Sequence, residues 1–207
     1  MILVSNSEIV EMFYNKTIQA APTEFIEVGC YEGSASKYLS KKMPNCFVTA
    51  YEANPINFKH FSKDLKNYNI NYVHNAISNF TGETTFHLLN SKKTNIKSSL
   101  SERTKAKKTV PVSVNCNTLN ELHYNNNHNH TYSMWIDAEG HGYEVLEGAS
   151  NLLENTTHIL IEVEKEQWWV DQKLYTDVIN LLKSQNFTPI AYDREWSQYN
   201  ILFEKNN

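Results

Sequence analysis

A chain of 207 residues with 41% hydrophobic side chains can bury one sizeable core but is short for two, so a single domain over 1–207 is expected. Its 19 basic and 23 acidic residues leave a net charge of −4, which gives no global attraction to nucleic acid or to an anionic membrane. Cys30, Cys46 and Cys116 form an odd set without a CxxC spacing, which argues against a disulfide framework and a thiolate zinc site. With no basic leader and no long apolar run, a soluble, cytoplasmic protein is expected. In chain order, Ser5 with Glu8 three residues on predicts a capping box, and Ile9, Val10, Met12 and Phe13 predict an apolar helix face within a helical segment 1–20. A strand is predicted over Glu24 to Val28, a helix over Ser34 to Met43, a strand over Phe47 to Tyr51 and a helix over Ile56 to Tyr68. Tyr72 to His74 reads as a strand, and Gly82 as a turn into another extended segment. Further on come a strand over Tyr132 to Ile136, a helix over Tyr143 to Leu153, a buried strand over His158 to Val163 and a helix over Val170 to Asn186. Two last strands follow at Thr188 to Tyr192 and Tyr199 to Phe203. Strands alternating with helices of this length predict an α/β fold with a doubly wound, mostly parallel sheet.

Two stretches interrupt the alternation. Residues 90–108 carry seven basic side chains (Lys92, Lys93, Lys97, Arg103, Lys105, Lys107, Lys108) against one acid, Glu102, and read as a loop able to recruit an anionic acceptor. The run from His123 to His130 is asparagine-rich and reads as a solvated connection. Its histidines His123, His128 and His130 have metal-like spacing, but the flexible composition favours the connection over a metal site.

Ligands of open α/β sheets lie beyond the carboxyl ends of the strands, and the first such end is Glu27-Val28-Gly29. Gly29 and Gly33 would shape a strand-to-helix turn whose free amides favour an anionic group. The spacing Gly-x-x-x-Gly lacks the middle glycine of a dinucleotide fingerprint, which weakens a pyrophosphate reading. Glu52 ends the next strand 25 positions after Glu27, near the ~20-residue offset at which an acid accepts ribose hydroxyls. A carboxylate at Glu27 would repel pyrophosphate and attract an ammonium. S-adenosylmethionine carries an ammonium, a carboxylate and a ribose diol together.

The stretch from Trp135 to Ala149 brings Asp137, Glu139 and His141 to the same sheet edge, with Gly140 and Gly142 in the turn. There the acids could cap the following helix or act in catalysis. As a general base at this edge, Asp137, then His141, are the first candidates, with Glu139 beside them. The same three could bind a hard divalent cation, but alternate residues leaving a strand need not converge on one ion, so no metal is expected.

The segments "EVGCYEG", "YEANP", "HNAISNFTGE", "SSL" and "IDAEGHGYEVLEGA" together resemble the FkbM family of S-adenosylmethionine-dependent methyltransferases, from about Glu24 to Val163. The resemblance implies the Rossmann-like class I methyltransferase fold, with a seven-stranded sheet of order 3-2-1-4-5-7-6 and only the last strand antiparallel. It also implies O-methylation of a small molecule or sugar. On that likeness Glu27, Gly29, Cys30, Tyr31, Gly33 and Ser34 border the methionine part, Glu52 and Ala53 the ribose, Asn75 and Ala76 the adenine, and Asp137 the transferable methyl. Ser98 and Ser99 match the family's Ser-Ser-Leu and, with Trp168, are expected on the acceptor side. Three positions depart from the pattern: Tyr31 stands where Asn is common, Trp135 where Lys is frequent and Gly142 where Glu is frequent. Two other classes stay open at this point, a nicotinamide-dependent oxidoreductase and a non-catalytic S-adenosylmethionine-binding module.

Overall fold

The structure is a computed structural model and describes residues 1–90, 92–104, 108–124, 129–193 and 197–206. The predicted capping box starts α1 (Asn6–Ala20): the Ser5 hydroxyl accepts from Glu8 N–H at 3.3 Å, and Glu8 accepts from Ser5 N–H at 2.7 Å. Ahead of it β1 (Ile2–Val4) is a strand that three apolar residues gave no reason to expect; it joins the sheet by pairing in parallel with Ala191, Tyr192 and Asp193. Then β2 (Glu24–Val28), α2 (Ser34–Lys42), β3 (Phe47–Glu52), α3 (Pro55–Leu65) and β4 (Asn71–His74) follow as read, with ends shifted by a few residues. The Asn54 side chain caps α3 by accepting from Ile56 and Asn57 N–H.

Three short strands come next: β5 (Ala76–Ile77), β6 (Gly82–Leu88) and β7 (Val110–Asn117), forming a second sheet of order β5-β7-β6. Neither β7 nor the short α4 (Leu119–His123) was anticipated, because β7 buries only Val114 and Cys116 of its eight residues. The main sheet resumes with β8 (Tyr132–Ile136), α5 (Gly142–Glu147), β9 (Thr156–Glu164), α6 (Tyr175–Ser184), β10 (Phe187–Asp193) and β11 (Gln198–Lys205). Two predicted helices are shorter than their apolar patterns. The helix at Tyr143 stops where Gly148 passes against the Ser78 carbonyl, and Leu152–Asn155 forms a separate 3-10 turn. The helix expected from Val170 starts only at Tyr175, since Gln172 accepts from Trp168 and Trp169 N–H in a loop and Asp171 has φ 57°.

The main sheet runs β1-β10-β11-β9-β8-β2-β3-β4, with β11 antiparallel to both neighbours. Without β1 this is the order 3-2-1-4-5-7-6; the expectation of seven strands is therefore corrected to eight plus the separate sheet. Every residue of β2 is buried, as a central strand covered on both faces requires. One face packs on α1 and α2 around Phe13, Phe25 and Leu39, the other on α4, α5 and α6 around Leu119, Leu146 and Leu182. The small sheet adds its own apolar cluster of Ala76, Phe86, Leu88, Val114 and Cys116, which walls the region beyond β3 and β4. Among the described residues no helix is long and apolar enough to cross a membrane.

Candidate active site

Strand register builds the site. Val28 pairs with both Tyr51 and Ile136, and Ile136 pairs with Ile161. One residue further on, Glu52, Gly29, Asp137 and Glu162 fall in a row across the carboxyl ends of β3, β2, β8 and β9. Gly29, at φ 77°, lets two backbones meet there: a Cβ on it would lie 1.8 Å from the Asp137 carbonyl oxygen. Glu52 accepts from Tyr31 N–H at 2.9 Å and from Asn54 N–H at 2.7 Å, tying the turn after β2 to the turn after β3. Each carboxylate oxygen still has a lone pair for a ligand hydroxyl.

A cleft lies between this row, the small sheet and the segment from Asn95 to Leu100. Gly29, Tyr31, Glu52 and Ala53 form one wall, and Asn75 and Ala76 form the far end. Ser98 and Ser99 cover it from the basic loop, and Asp137, Glu139 and His141 close the near side. The loop is tied down: Ser99 Oγ donates to the Glu139 carbonyl at 2.7 Å, and Asn57 and Asn95 exchange hydrogen bonds of 2.8 and 3.1 Å. Tyr31 has φ 50° and Glu139 φ 33°, left-handed backbone that non-glycine residues adopt at some strain. Asn tolerates that region best, which accounts physically for Asn being common where this chain has Tyr31.

Other expected residues stand outside the cleft walls. Glu27 turns onto the start of α2 and accepts from Ser36 N–H at 2.9 Å and Ser36 Oγ at 2.5 Å. It thereby occupies helix-start amides that the sequence left for a ligand anion. Cys30 is buried below the turn, and Gly33 packs against the Leu65 side chain as N-cap of α2. Ser34 is exposed and donates to Glu32. Trp168 lies further out, with Lys97 Nζ 5.8 Å from its ring centre. Lys105, Lys107 and His128 lie outside the described residues. Trp135 packs edge-on against Phe13 at 5.6 Å, so its replacement of Lys is absorbed by α1.

The residue missed from sequence is Glu162, with Glu164 and Gln198 behind it. Asp137, Glu139 and Glu162 each place one carboxylate oxygen within 4.8 Å of the others. Gln198 Nε2 donates to Glu162 at 2.6 Å and more distantly, at 3.4 Å, to Glu139 and Glu164. Burial first, then mutual repulsion, raises these acids: Glu139 to about 8, Glu164 to about 7 and Glu162 well above the carboxylate range. Asp137 is raised by burial too, but it accepts a hydrogen bond from Glu162, which lowers it, while the same bond raises Glu162. Both carboxyls are thus raised by burial and placed to share one proton. A divalent cation at these three oxygens would have to displace that proton and the Gln198 amide. His141 is pushed down to about 4 by burial, so it is neutral at pH 7, and its Nε2 lies 2.8 Å from Ser78 Oγ.

These acids make a testable contribution to stability. Glu27, Glu52 and Glu164, raised to about 7, and Glu139, raised to about 8, keep protons when folded that the unfolded chain releases above the ordinary value of 4.5. The unfolded state then binds fewer protons, so stability declines as pH rises from about 5 to 8. Glu8, Glu24 and Glu204 are lowered and act below that window. The thermal midpoint of the ligand-free protein is expected to fall by about 5 °C or more between pH 5.5 and 8.5. A midpoint that rises over this range would show that the acids are not buried together.

The FkbM methyltransferase domain matches residues 27–189. Among solved structures, the chain resembles the methyltransferase FkbM from Methylobacillus flagellatus, with 11% identity and a TM-score of 0.58 over 89% of this chain and 44% of that one. A precorrin-6y C5,15-methyltransferase from Geobacter metallireducens gives 13% and 0.51 over 98% and 90%. An rRNA methylase from Streptococcus thermophilus gives 10% and 0.52 over 96% and 97%. The chain thus spans less than half the length of the first of these, and such identities speak for the fold alone. No curated protein sequence gives a significant match. With the family's domain covering most of its length, its strand order in the sheet and its glycine turn beside an acidic row, the chain belongs to the FkbM methyltransferase family.

Proposed function

We propose that the chain is an S-adenosylmethionine-dependent O-methyltransferase acting on a hydroxyl of a small molecule or sugar. The observation that carries this reading is the row Glu52, Gly29, Asp137 along one side of a cleft at the carboxyl edge of the sheet, with Glu162 next to Asp137. S-adenosylmethionine, when bound, supplies a methyl group on an electrophilic sulfonium. Glu52 would hold the ribose diol with its remaining lone pairs, Asn75 and Ala76 would border the base, and the Gly29 to Gly33 turn would hold the amino-acid end. Glu27 supports that end from behind, through α2. Asp137, partnered by Glu162, would take the acceptor's hydroxyl proton. His141 is the second candidate base, already engaged with Ser78.

The charges favour an uncharged acceptor over an anionic one. Lys97, the basic-loop residue facing the site, acts electrostatically on Asp137 and Glu139 and stands over Trp168. Its charge offsets the acids and leaves little for a ligand anion. Isothermal titration with S-adenosylhomocysteine, with NADH as control, tests the cofactor half of the proposal. Micromolar binding is expected, weakened about 10- to 100-fold in Glu52→Ala, the loss of charged hydrogen bonds. Unchanged affinity in that variant, or NADH displacing S-adenosylhomocysteine, would overturn the reading.

A further inference from the structure

At the opposite end of β2, Glu24 is buried at the first strand position, and two histidines from either end of the asparagine-rich connection converge on it. His123 Nδ1 lies 2.8 Å from Glu24 Oε1, and His130 Nε2 lies 3.3 Å from Glu24 Oε2. The other ring nitrogen of His123 is 2.6 Å from the Tyr51 hydroxyl. Thr49 Oγ1 donates to Glu24 Oε1 at 3.3 Å. Four of the five side chains come from β2, β3 and α4, His130 packs on Tyr132, and the group opens onto a cavity of about 750 Å³ that shares only Tyr51 and Asn75 with the lining of the cleft of the acidic row.

We propose that Glu24, His123 and His130 form a binding site for a borderline transition-metal ion of the zinc class. Two imidazoles and one carboxylate are a donor set that favours such ions over magnesium or calcium. The site also has outer partners of the kind ligating side chains use. With a metal on Nδ1, His123 carries its ring proton on Nε2 and donates it to Tyr51, while Thr49 holds Glu24 in place. Water from the cavity completes the coordination. In the metal-free arrangement the imidazoles meet opposite oxygens of Glu24, and the three donors are more widely spread than Asp137, Glu139 and Glu162. Binding therefore requires one imidazole to rotate toward its partner, and the open cavity gives it room. Nothing in this inference depends on methyl transfer, because Glu24 and Asp137 lie at opposite ends of the parallel strands β2 and β8.

The test is titration of the full chain with Zn²⁺ by calorimetry, repeated with Co²⁺ to read the visible bands of a low-coordinate site. One ion per chain is expected, not displaced by millimolar Mg²⁺, and at least about 100-fold weaker binding in His123→Ala and in His130→Ala, since losing a ligand should exceed the 10- to 100-fold effect of losing an outer partner. Should those variants fail to fold, ring-nitrogen NMR of the unmodified protein decides: Zn²⁺ should shift His123 Nδ1 and His130 Nε2 and leave exposed His60 unmoved. Binding that survives both substitutions or shifts other histidines marks an adventitious ion only, and absence of binding leaves the cluster as a hydrogen-bonded clasp; either overturns the proposal.

Discussion

Gly29→Ala is expected to destabilise the protein by at least about 3 kcal/mol in urea unfolding, and to abolish S-adenosylhomocysteine binding in whatever folded fraction remains. Two separate penalties act at this position. The backbone has φ 77°, which costs any side chain about 1 kcal/mol or more. The added Cβ would also meet the Asp137 carbonyl oxygen at 1.8 Å, an atom of a strand end that is itself fixed by Asp137 N–H donating to Val28 at 2.9 Å. Relief requires β2 and β8 to separate where the acidic row is built. Gly33→Ala is the matched comparison. There φ is 67° but the nearest atom, at 2.8 Å, is the end of the Leu65 side chain, which can move. Its loss should be about 1–2 kcal/mol. Equal losses for the two variants would mean that the strain of the turn, and not the approach of two strands, explains Gly29.

The strand order was legible because the apolar runs are separated by helices of ordinary length, and right-handed crossovers leave few arrangements. Local geometry was legible where neighbouring residues carry it: the Ser5–Glu8 capping box, the left-handed turn at Gly29, and Glu52 at a strand end. What escaped the sequence has a physical cause in each case. The strand β1 has three residues, two of them exposed, and owes its form to pairing with β10. Half-exposed β7 does alternate, Val110, Val112, Val114 and Cys116 against Pro111, Ser113, Asn115 and Asn117, but a proline within the run argues against a strand. Glu27 seemed to face a ligand, yet its nearest donors are the amide and hydroxyl of Ser36 nine residues on, a pairing that only the helix start creates. Glu24 gave no signal either, as its partners His123 and His130 are about a hundred residues away. Glu162 did leave a trace. In "ILIEVEKE" the acids at 162 and 164 alternate within an otherwise apolar strand, which puts both on one face. Register with β8 then decides that the face is the one shared with Asp137.

That placement yields the second large effect. Asp137→Asn should lower methyl transfer by about 10²- to 10⁴-fold, measured as labelled methyl taken from S-adenosylmethionine by a hydroxylated acceptor drawn from a panel, while S-adenosylhomocysteine affinity changes less than about threefold. The asparagine keeps the side chain's shape and removes its ability to accept a proton. Glu162 should respond quite differently to two substitutions. With Asp137 as the base, Glu162 is its hydrogen-bond donor, a role a glutamine amide can fill, so Glu162→Gln should retain rate near pH 7. Glu162→Ala removes the donor, leaves Asp137 buried without that partner, and should lower the rate by about tenfold or more. The pH profile separates this from simple packing. As pH rises, the wild-type rate should climb while Asp137 ionises and then decline once Glu162 loses its proton and two carboxylates face each other. Glu162→Gln cannot ionise, so the alkaline decline should disappear while the acid limb stays. If Glu162→Gln is as damaging as Asp137→Asn, the carboxylate at 162 is itself the base, and the proton between the pair sits on Asp137.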